Sequence, residues 1–321
     1  MDLSELLRQQ HGLRVERLAD GRQRLEVEPG QGCAGAGDSW TTAYPDELIL
    51  EIYATKRGYV CDEIRREEDP RYVERAIRHE VLGCIDAEAF RGKRILDFGC
   101  GAGASTLVMS RLLPPCELVG VELEERLLKL ARLRAEYLGR QALRFFHSPS
   151  GTALPAGLGT FDYIVLSAVY EHLLPEERGV LLPSIWRHLK PGGVLFINQT
   201  PHRYSPLEMH TTGLPLINYL PDTLALAYAK RFSGRINGDE DWPALLRAGI
   251  RGATIAEIVH VLGGRATLLA PKFGDQIDLW HGKLSLRYAF FKRAIWAALK
   301  ALKPLAGVHL VPELTLALRK T

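Results

Sequence analysis

The chain has 321 residues, 46% hydrophobic and 25% charged, the composition of a soluble globular protein with a sizeable core in one or two units. Its formal net charge of +3 is too small for the broad positive field that draws proteins onto nucleic acid, so no RNA or DNA partner is expected. Five scattered cysteines, Cys33, Cys61, Cys84, Cys100 and Cys116, form no C-x-x-C pair, which argues against a disulfide framework or structural zinc; with no signal-peptide pattern and no apolar run of about 18 residues, a cytoplasmic protein without a spanning helix is expected.

From Leu13 to Glu28 apolar and charged positions alternate around Asp20-Gly21, a favoured type I′ pair, which predicts a small exposed hairpin. The Gly-rich residues 29–39 read as a flexible connector. Asp46, ahead of Leu48, Ile49, Ile52 and Tyr53, and Asp69-Pro70, ahead of Tyr72, Val73, Ile77, Val81 and Leu82, each start an amphipathic helix. Residues 1–88 are therefore expected to form a hairpin and helical cover over a ligand, and residues 89–321 the core.

The core opens on Ile95, Leu96 and Phe98, a buried parallel strand, and breaks at Gly99, Gly101 and Gly103, where the backbone must turn tightly against a ligand. Ala104 to Met109 then open a helix whose first N–H groups face that ligand. A second strand, Leu118 to Val121, ends at Glu122, placed to accept from both hydroxyls of a ribose. A nucleoside-containing cofactor follows, although Gly99 to Ala104 also satisfies the dinucleotide pattern G-x-G-x-x-A and leaves NAD open at this point. Farther along, 124–138 reads as a crossover helix, Leu143 to His147 as a third strand and Phe161 to Leu166 as a fourth. Leu189-Lys190-Pro191-Gly192-Gly193 leads into a fifth, Val194 to Asn198. Residues 199–265 exceed normal loop length and are expected to form an inserted cap before a strand at Ala266 to Ala270.

Asp97 two residues before the first glycine, the glycine loop, Glu122, the fourth strand and Lys190-Pro191-Gly192-Gly193 form an ordered set over roughly residues 90–200. Together they resemble the class I S-adenosylmethionine (SAM)-dependent methyltransferases, of the small-molecule, ubiquinone-biosynthesis-like type. The resemblance implies a doubly wound, seven-stranded, mostly parallel α/β sheet of Rossmann-like methyltransferase fold, its last strand antiparallel, with an N-terminal helical cover and an inserted cap. It implies SAM rather than NAD, with Gly99, Cys100, Gly101 and Gly103 around the methionine end, Asp97 organising the loop, and Glu122 with Leu123 at the ribose. Where many family members place an acid for the adenine amino group, five residues before a proline, this chain has Ser150, followed by Gly151 and with its proline at Pro155. This departs from the common pattern, and a hydroxyl or backbone carbonyl there can still accept the bond. Ser167 opens the stretch to Leu173 that in the family runs past the sulfonium.

Methyl transfer to a hydroxyl needs a base and in-line positioning. His202 and His210, just beyond the fifth strand, and His172, just beyond the fourth, are the candidates. Each also has a plain structural reading, His202 and His210 satisfying backbone around Pro201 and Pro206, and His172 capping a turn. No metal is expected, because no pair of acids adjoins His202 and His210. The expected acceptor is a small or medium organic molecule such as a natural product, quinone precursor or glycan, free or lipid-linked. The alternatives are an RNA or protein methyltransferase and a noncatalytic SAM-binding protein. Lys283, Arg287, Lys292, Arg293, Lys300 and Lys303 interleave with Tyr288, Phe290, Phe291, Ile295, Trp296 and Leu299. The commoner reading is a helix with its apolar side on the core and its charges in solvent; the other is peripheral contact of residues 283–303 with an anionic membrane. The sequence leaves the oligomeric state open.

Overall fold

A computed structural model describes residues 12–28, 39–283, 289–306 and 311–321. The expected hairpin forms as β1 (Leu13–Arg17) and β2 (Gln23–Val27), antiparallel across the Asp20-Gly21 turn. It is not exposed. Leu13, Val15, Leu25 and Val27 are buried, because β3 (Ser39–Thr42) extends the sheet and its apolar side packs on α1 (Asp46–Lys56) and α2 (Val60–Glu68). Ala102 and Leu130 of the core belong to the same apolar cluster, so cover and core are in continuous contact. The presumed connector lies outside the described residues apart from Ser39, which begins β3.

Helix α2 is absent from the sequence expectations. Its buried face carries Glu63 and Glu67 as well as Val60, Cys61 and Ile64, which hides the apolar period. The acids are buried because they are paired: fully buried Arg134 donates to Glu63 at 2.8 Å, and Arg111 pairs with Glu67. Asp69 then caps the next segment by accepting from the Arg71 N–H, and the irregular turn Pro70–Glu74 continues into α3 (Arg75–Glu80).

The main sheet comprises β4 (Arg94–Phe98), β5 (Glu117–Glu122), β6 (Arg144–His147), β7 (Phe161–Ser167), β8 (Leu189–Pro201), β9 (Ala266–Leu268) and β10 (Glu313–Lys320). Their order is β6-β5-β4-β7-β8-β10-β9, parallel from β6 through β8, with β10 antiparallel to both neighbours. This is the doubly wound, mostly parallel sheet expected of the sequence. The chain reverses direction of travel between β4 and β7, and the crevice at that switch is where open α/β sheets bind ligands. Helices α4 (Ala104–Leu112), α5 (Glu125–Tyr137) and α6 (Pro175–His188) flank the sheet.

Three boundaries differ from expectation. β8 begins at Leu189, so Lys190 to Gly193 lie inside the strand, where a register shift between Phe161 and Tyr163 absorbs them and Lys190 pairs with Asp162 at 2.8 Å. The inserted segment contains α7 (Asp222–Phe232), α8 (Trp242–Arg247) and α9 (Ile255–Val261). Only the first two build a separate apolar cluster, with Ile217 and Ile250; Ala253, Ile258 and Leu262 join the main core beside α6, so the last part of 199–265 is a crossover of the core.

The third difference concerns α10 (Gln276–Lys283) and α11 (Ala289–Ala306). Lys300 and Lys303 turn inward, Lys300 pairing with Asp278 at 2.6 Å and Asp275 at 3.0 Å and Lys303 with Asp275 at 2.6 Å, while Phe290 and Phe291 point to solvent. Ile295, Trp296 and Leu299 pack inward on Ile277, Trp280 and Val311 and Arg293 is exposed, as the commoner expectation has it; the difference is that two lysines join the inner face in half-buried ion pairs and two phenylalanines stand in solvent. Arg287 and Tyr288 lie outside the described residues.

Candidate active site

β4 delivers its chain into the crevice at Asp97 and Phe98. The turn that follows holds Gly99, Gly101 and Gly103 at φ of 73°, 56° and 85°, a region costly for residues with a Cβ. A Cβ on Gly99 would lie 2.6 Å from Val169 Cγ2 and one on Gly103 2.9 Å from Ala131 Cβ, so these two are needed for packing. A Cβ on Gly101 would meet nothing within 4 Å. Gly101 faces a cavity of about 740 Å³ whose walls include Gly99, Cys100, Ala102 and Ser105 from the loop, Ser167, Ala168 and Gln199 from the ends of β7 and β8, and Arg57, Tyr59 and Arg66 from the cover.

The two acids beside this loop are already engaged with it. Asp97 is buried, accepts from Ser105 Oγ and Thr106 Oγ1 at 2.6 Å each, and has its pKa raised by burial and lowered in part by those hydroxyls. Glu122 accepts from the Gly101 N–H at 2.8 Å with one oxygen and from the Leu123 and Glu124 N–H groups with the other. Leu123 is exposed at the tip of β5. Ser150 and Gly151 lie in the turn beyond β6, pinned where Ser148 Oγ donates to the Ser150 and Ala153 carbonyls.

On the other side of the crevice a second cavity, of about 290 Å³, is lined by His202, Glu208, His210, Trp280 and Glu313 among others. Glu208 shapes its rim: its carboxylate accepts from the backbone N–H groups of His210, Thr211 and Thr212, which fixes His210 in a tight turn. His202 is buried and its Nδ1 accepts from the Tyr204 N–H at 3.3 Å. His172 does not line this cavity, but its ring centroid lies 5.5 Å from that of His210, and its Nδ1 takes the Arg247 carbonyl at 2.7 Å. Beneath both rings Glu171 is fully buried; Thr200 donates to one of its oxygens at 3.1 Å, and burial pushes its pKa up to about 7. Burial, with the neighbouring His172 adding to it, holds His210 below its ordinary pKa, so it is neutral at neutral pH.

Residues 95–193 match the family model of a methyltransferase domain. The chain carries a class I S-adenosylmethionine-dependent methyltransferase domain. It is 32% identical over 180 residues to a ubiquinone biosynthesis O-methyltransferase of Psychrobacter cryohalolentis, covering 53% of this chain and 62% of that protein. It is 33% identical over 122 residues to the erythromycin 3''-O-methyltransferase of Saccharopolyspora erythraea, covering 38% of each. The chain thus spans about half the length of the curated relatives it matches. A solved S-adenosylmethionine-dependent methyltransferase from Clostridium acetobutylicum aligns with a TM-score of 0.37 at 18% identity, over 52% of this chain and 61% of that one.

Within and around the methyltransferase domain, Gly99, Cys100, Gly101 and Ser167 come together on the first cavity, with Asp97, Gly103 and Glu122 directly behind its loop. His202 and His210 come together on the second, and His172 joins them only through His210. The sequence reasoning passed over Glu171 and Gly249. Gly249, at φ 94°, leaves no room for a Cβ, which would lie 2.8 Å from His210 Cδ2 and 3.2 Å from Glu171 Cγ. No sequence signal marks this glycine, because its constraint comes from residues 78 and 39 positions away. The expectation of no metal rested on the lack of acids beside His202 and His210. The structure pairs His210 instead with Glu171 and His172, one donor atom from each lying within 4.8 Å of the others.

Proposed function

We propose that the protein transfers a methyl group from SAM to an oxygen of a small or medium organic acceptor, held between the glycine-loop cavity and the histidine-lined cavity. The observation that carries this reading is the adjacency of the two along one strand, Gln199 lining the first and Pro201 and His202 the second. The first cavity fits SAM: Gly101 leaves open space where a side chain would stand, and Glu122, the ribose acceptor that the family resemblance implies, sits directly behind the loop, accepting from the Gly101 N–H. Arg57 and Arg66 in the cavity wall offer positive charge to a carboxylate, while Ser150, Gly151 and Leu123, which the family resemblance assigns to the nucleoside end, lie outside that wall. Bound there, SAM supplies an electrophilic methyl group on a cationic sulfur.

The chain's own residues then have two tasks, to aim the acceptor oxygen and to receive its proton. His210, kept neutral by its surroundings, is the base, with His172 and the high-pKa Glu171 as the groups onto which a proton can pass. His202, buried and bonded to backbone, orients the cavity wall. Two matched relatives are named as O-methyltransferases, one of ubiquinone biosynthesis and one of erythromycin, which supports oxygen as the acceptor atom and a small organic molecule as the acceptor. The weak net charge disfavours RNA.

The test is the pH profile of turnover in the wild type and in His210→Ala. Wild-type activity should rise with pH through the histidine range, because imidazolium cannot accept a proton, and that limb should disappear in the variant while SAM affinity is kept. An unaltered profile removes His210 as base. Activity lost to a chelator and restored by a divalent transition ion would instead assign the Glu171, His172 and His210 donors to an ion.

A further inference from the structure

We infer that the outward face of α11 rests on an anionic lipid bilayer and holds the mouth of the acceptor cavity against the membrane surface. The helix is divided with unusual sharpness. Lys292, Ile295, Trp296, Leu299, Lys300 and Lys303 face the protein, where Trp296 Nε1 donates to Asp278 at 2.9 Å and both Lys300 and Lys303 are neutralised by Asp275 and Asp278. Ile277, Trp280 and Val311 pack against Ile295, Trp296 and Leu299. The opposite face presents Phe290, Phe291, Ala294, Ala297, Ala298, Ala301 and Leu302, with the two phenylalanines 88% and 67% exposed.

A soluble helix normally turns its apolar stripe inward. Here the inner face is already filled by Ile295, Trp296 and Leu299 and fastened by ion pairs, so the second, outward apolar stripe is left for another phase. Charge decides between occupants. The 18 residues of α11 include no acid, and the outward face carries one charge, Arg293, beside the two phenylalanines. A second copy of this helix would bring Arg293 no counter-charge, whereas an anionic headgroup layer supplies one and takes the aromatic rings at its boundary with the acyl chains. No helix among the described residues is long and apolar enough to cross a membrane, so α11 lies on the surface.

The helix also sits beside the site. Trp280, on which it packs, lines the acceptor cavity, and the same cavity is rimmed by Leu207 and Met209, both exposed. Docking α11 therefore brings the cavity to the layer where amphiphilic acceptors dissolve. That corollary rests on the proposed methyl transfer, but bilayer binding itself does not.

Sedimentation with vesicles, in the absence of SAM and acceptor, tests the inference. The full chain should pellet with phosphatidylglycerol-containing vesicles at low salt and bind pure phosphatidylcholine vesicles about tenfold more weakly. Phe290→Glu with Phe291→Glu should weaken binding by about tenfold or more, and Arg293→Glu should remove most of the preference for the anionic lipid. Both variants change only exposed side chains and should bind SAM as the wild type does. No pelleting with anionic vesicles, or pelleting undiminished in the double variant, overturns the inference. So does a dimer in analytical ultracentrifugation that the double variant splits while vesicles bind neither form, since the face then belongs to a second copy.

Discussion

At the scale of single residues, the glycines of the loop divide by what surrounds them. Gly99→Ala places a methyl group 2.6 Å from Val169 Cγ2 at φ 73° and should destabilise the fold by about 1–3 kcal/mol. Gly101→Ala has the same class of φ but open space, so it should cost the fold only about 1–2 kcal/mol and act chiefly on SAM, whose path its methyl group enters. Thermal melts with and without SAM separate the two: the larger loss of melting temperature belongs to Gly99→Ala, the larger loss of ligand-induced shift to Gly101→Ala. Equal behaviour would mean that the cavity beside Gly101 is not the cofactor's. Glu171 adds a pH signature. Its carboxyl is raised from 4.5 to about 7, so the folded state binds more protons than the unfolded one between those values, and stability falls as pH rises through that window, by about 3 kcal/mol in all. His210 runs the opposite way: its pKa is lowered below 6.5, so folding disfavours its proton and stability falls as pH drops below 6.5. Glu171→Gln removes the first effect only, and its stability relative to wild type should improve from pH 5 to pH 8 in urea titrations. A constant difference would show that Glu171 ionises as freely in the folded state as in the unfolded one.

At the scale of elements, the inserted segment joins the core through Ala253, Ile258 and Leu262 and is fixed there by polar clamps. Buried Arg178 of α6 donates to the Gly252 carbonyl at 2.7 Å and pairs with Glu257 at 2.9 Å, while within the segment Arg251 donates to the carbonyls of Ile217, Asn218 and Leu220. These bonds bring Gly249 against His210 and Glu171. Gly249→Ala should therefore displace the histidine pair and lower turnover, with SAM affinity unchanged because the glycine loop is untouched; calorimetry beside a turnover assay checks this, and intact turnover would sever the insertion from the chemistry. The sequence made the parallel strands legible because they are apolar runs bounded by glycine, and the cofactor loop legible because its demands are local. It concealed α2, whose buried acids are matched by Arg134 and Arg111 far along the chain, and the inward lysines of α11, whose partners Asp275 and Asp278 lie on a preceding segment. Buried charge defeats a pattern that equates charge with solvent.

At the scale of the whole molecule, the cover, the sheet and the inserted segment meet at the carboxyl ends of β4, β7 and β8, and the two cavities lie there in succession. The acceptor side was the least legible part, because His172, Glu171 and His210 are assembled from two connections separated by a strand and a helix. Their chemistry exists only in the fold. Methyl transfer to a small acceptor is the central claim, and the most direct measurement follows the methyl group itself. The purified chain, incubated with SAM carrying a labelled methyl group and a fractionated cell extract, should pass the label into small organic-soluble molecules, in a linkage with the stability of an O-methyl ether or ester. Label in RNA or protein, or tight SAM binding with no label transferred to any fraction, would contradict it.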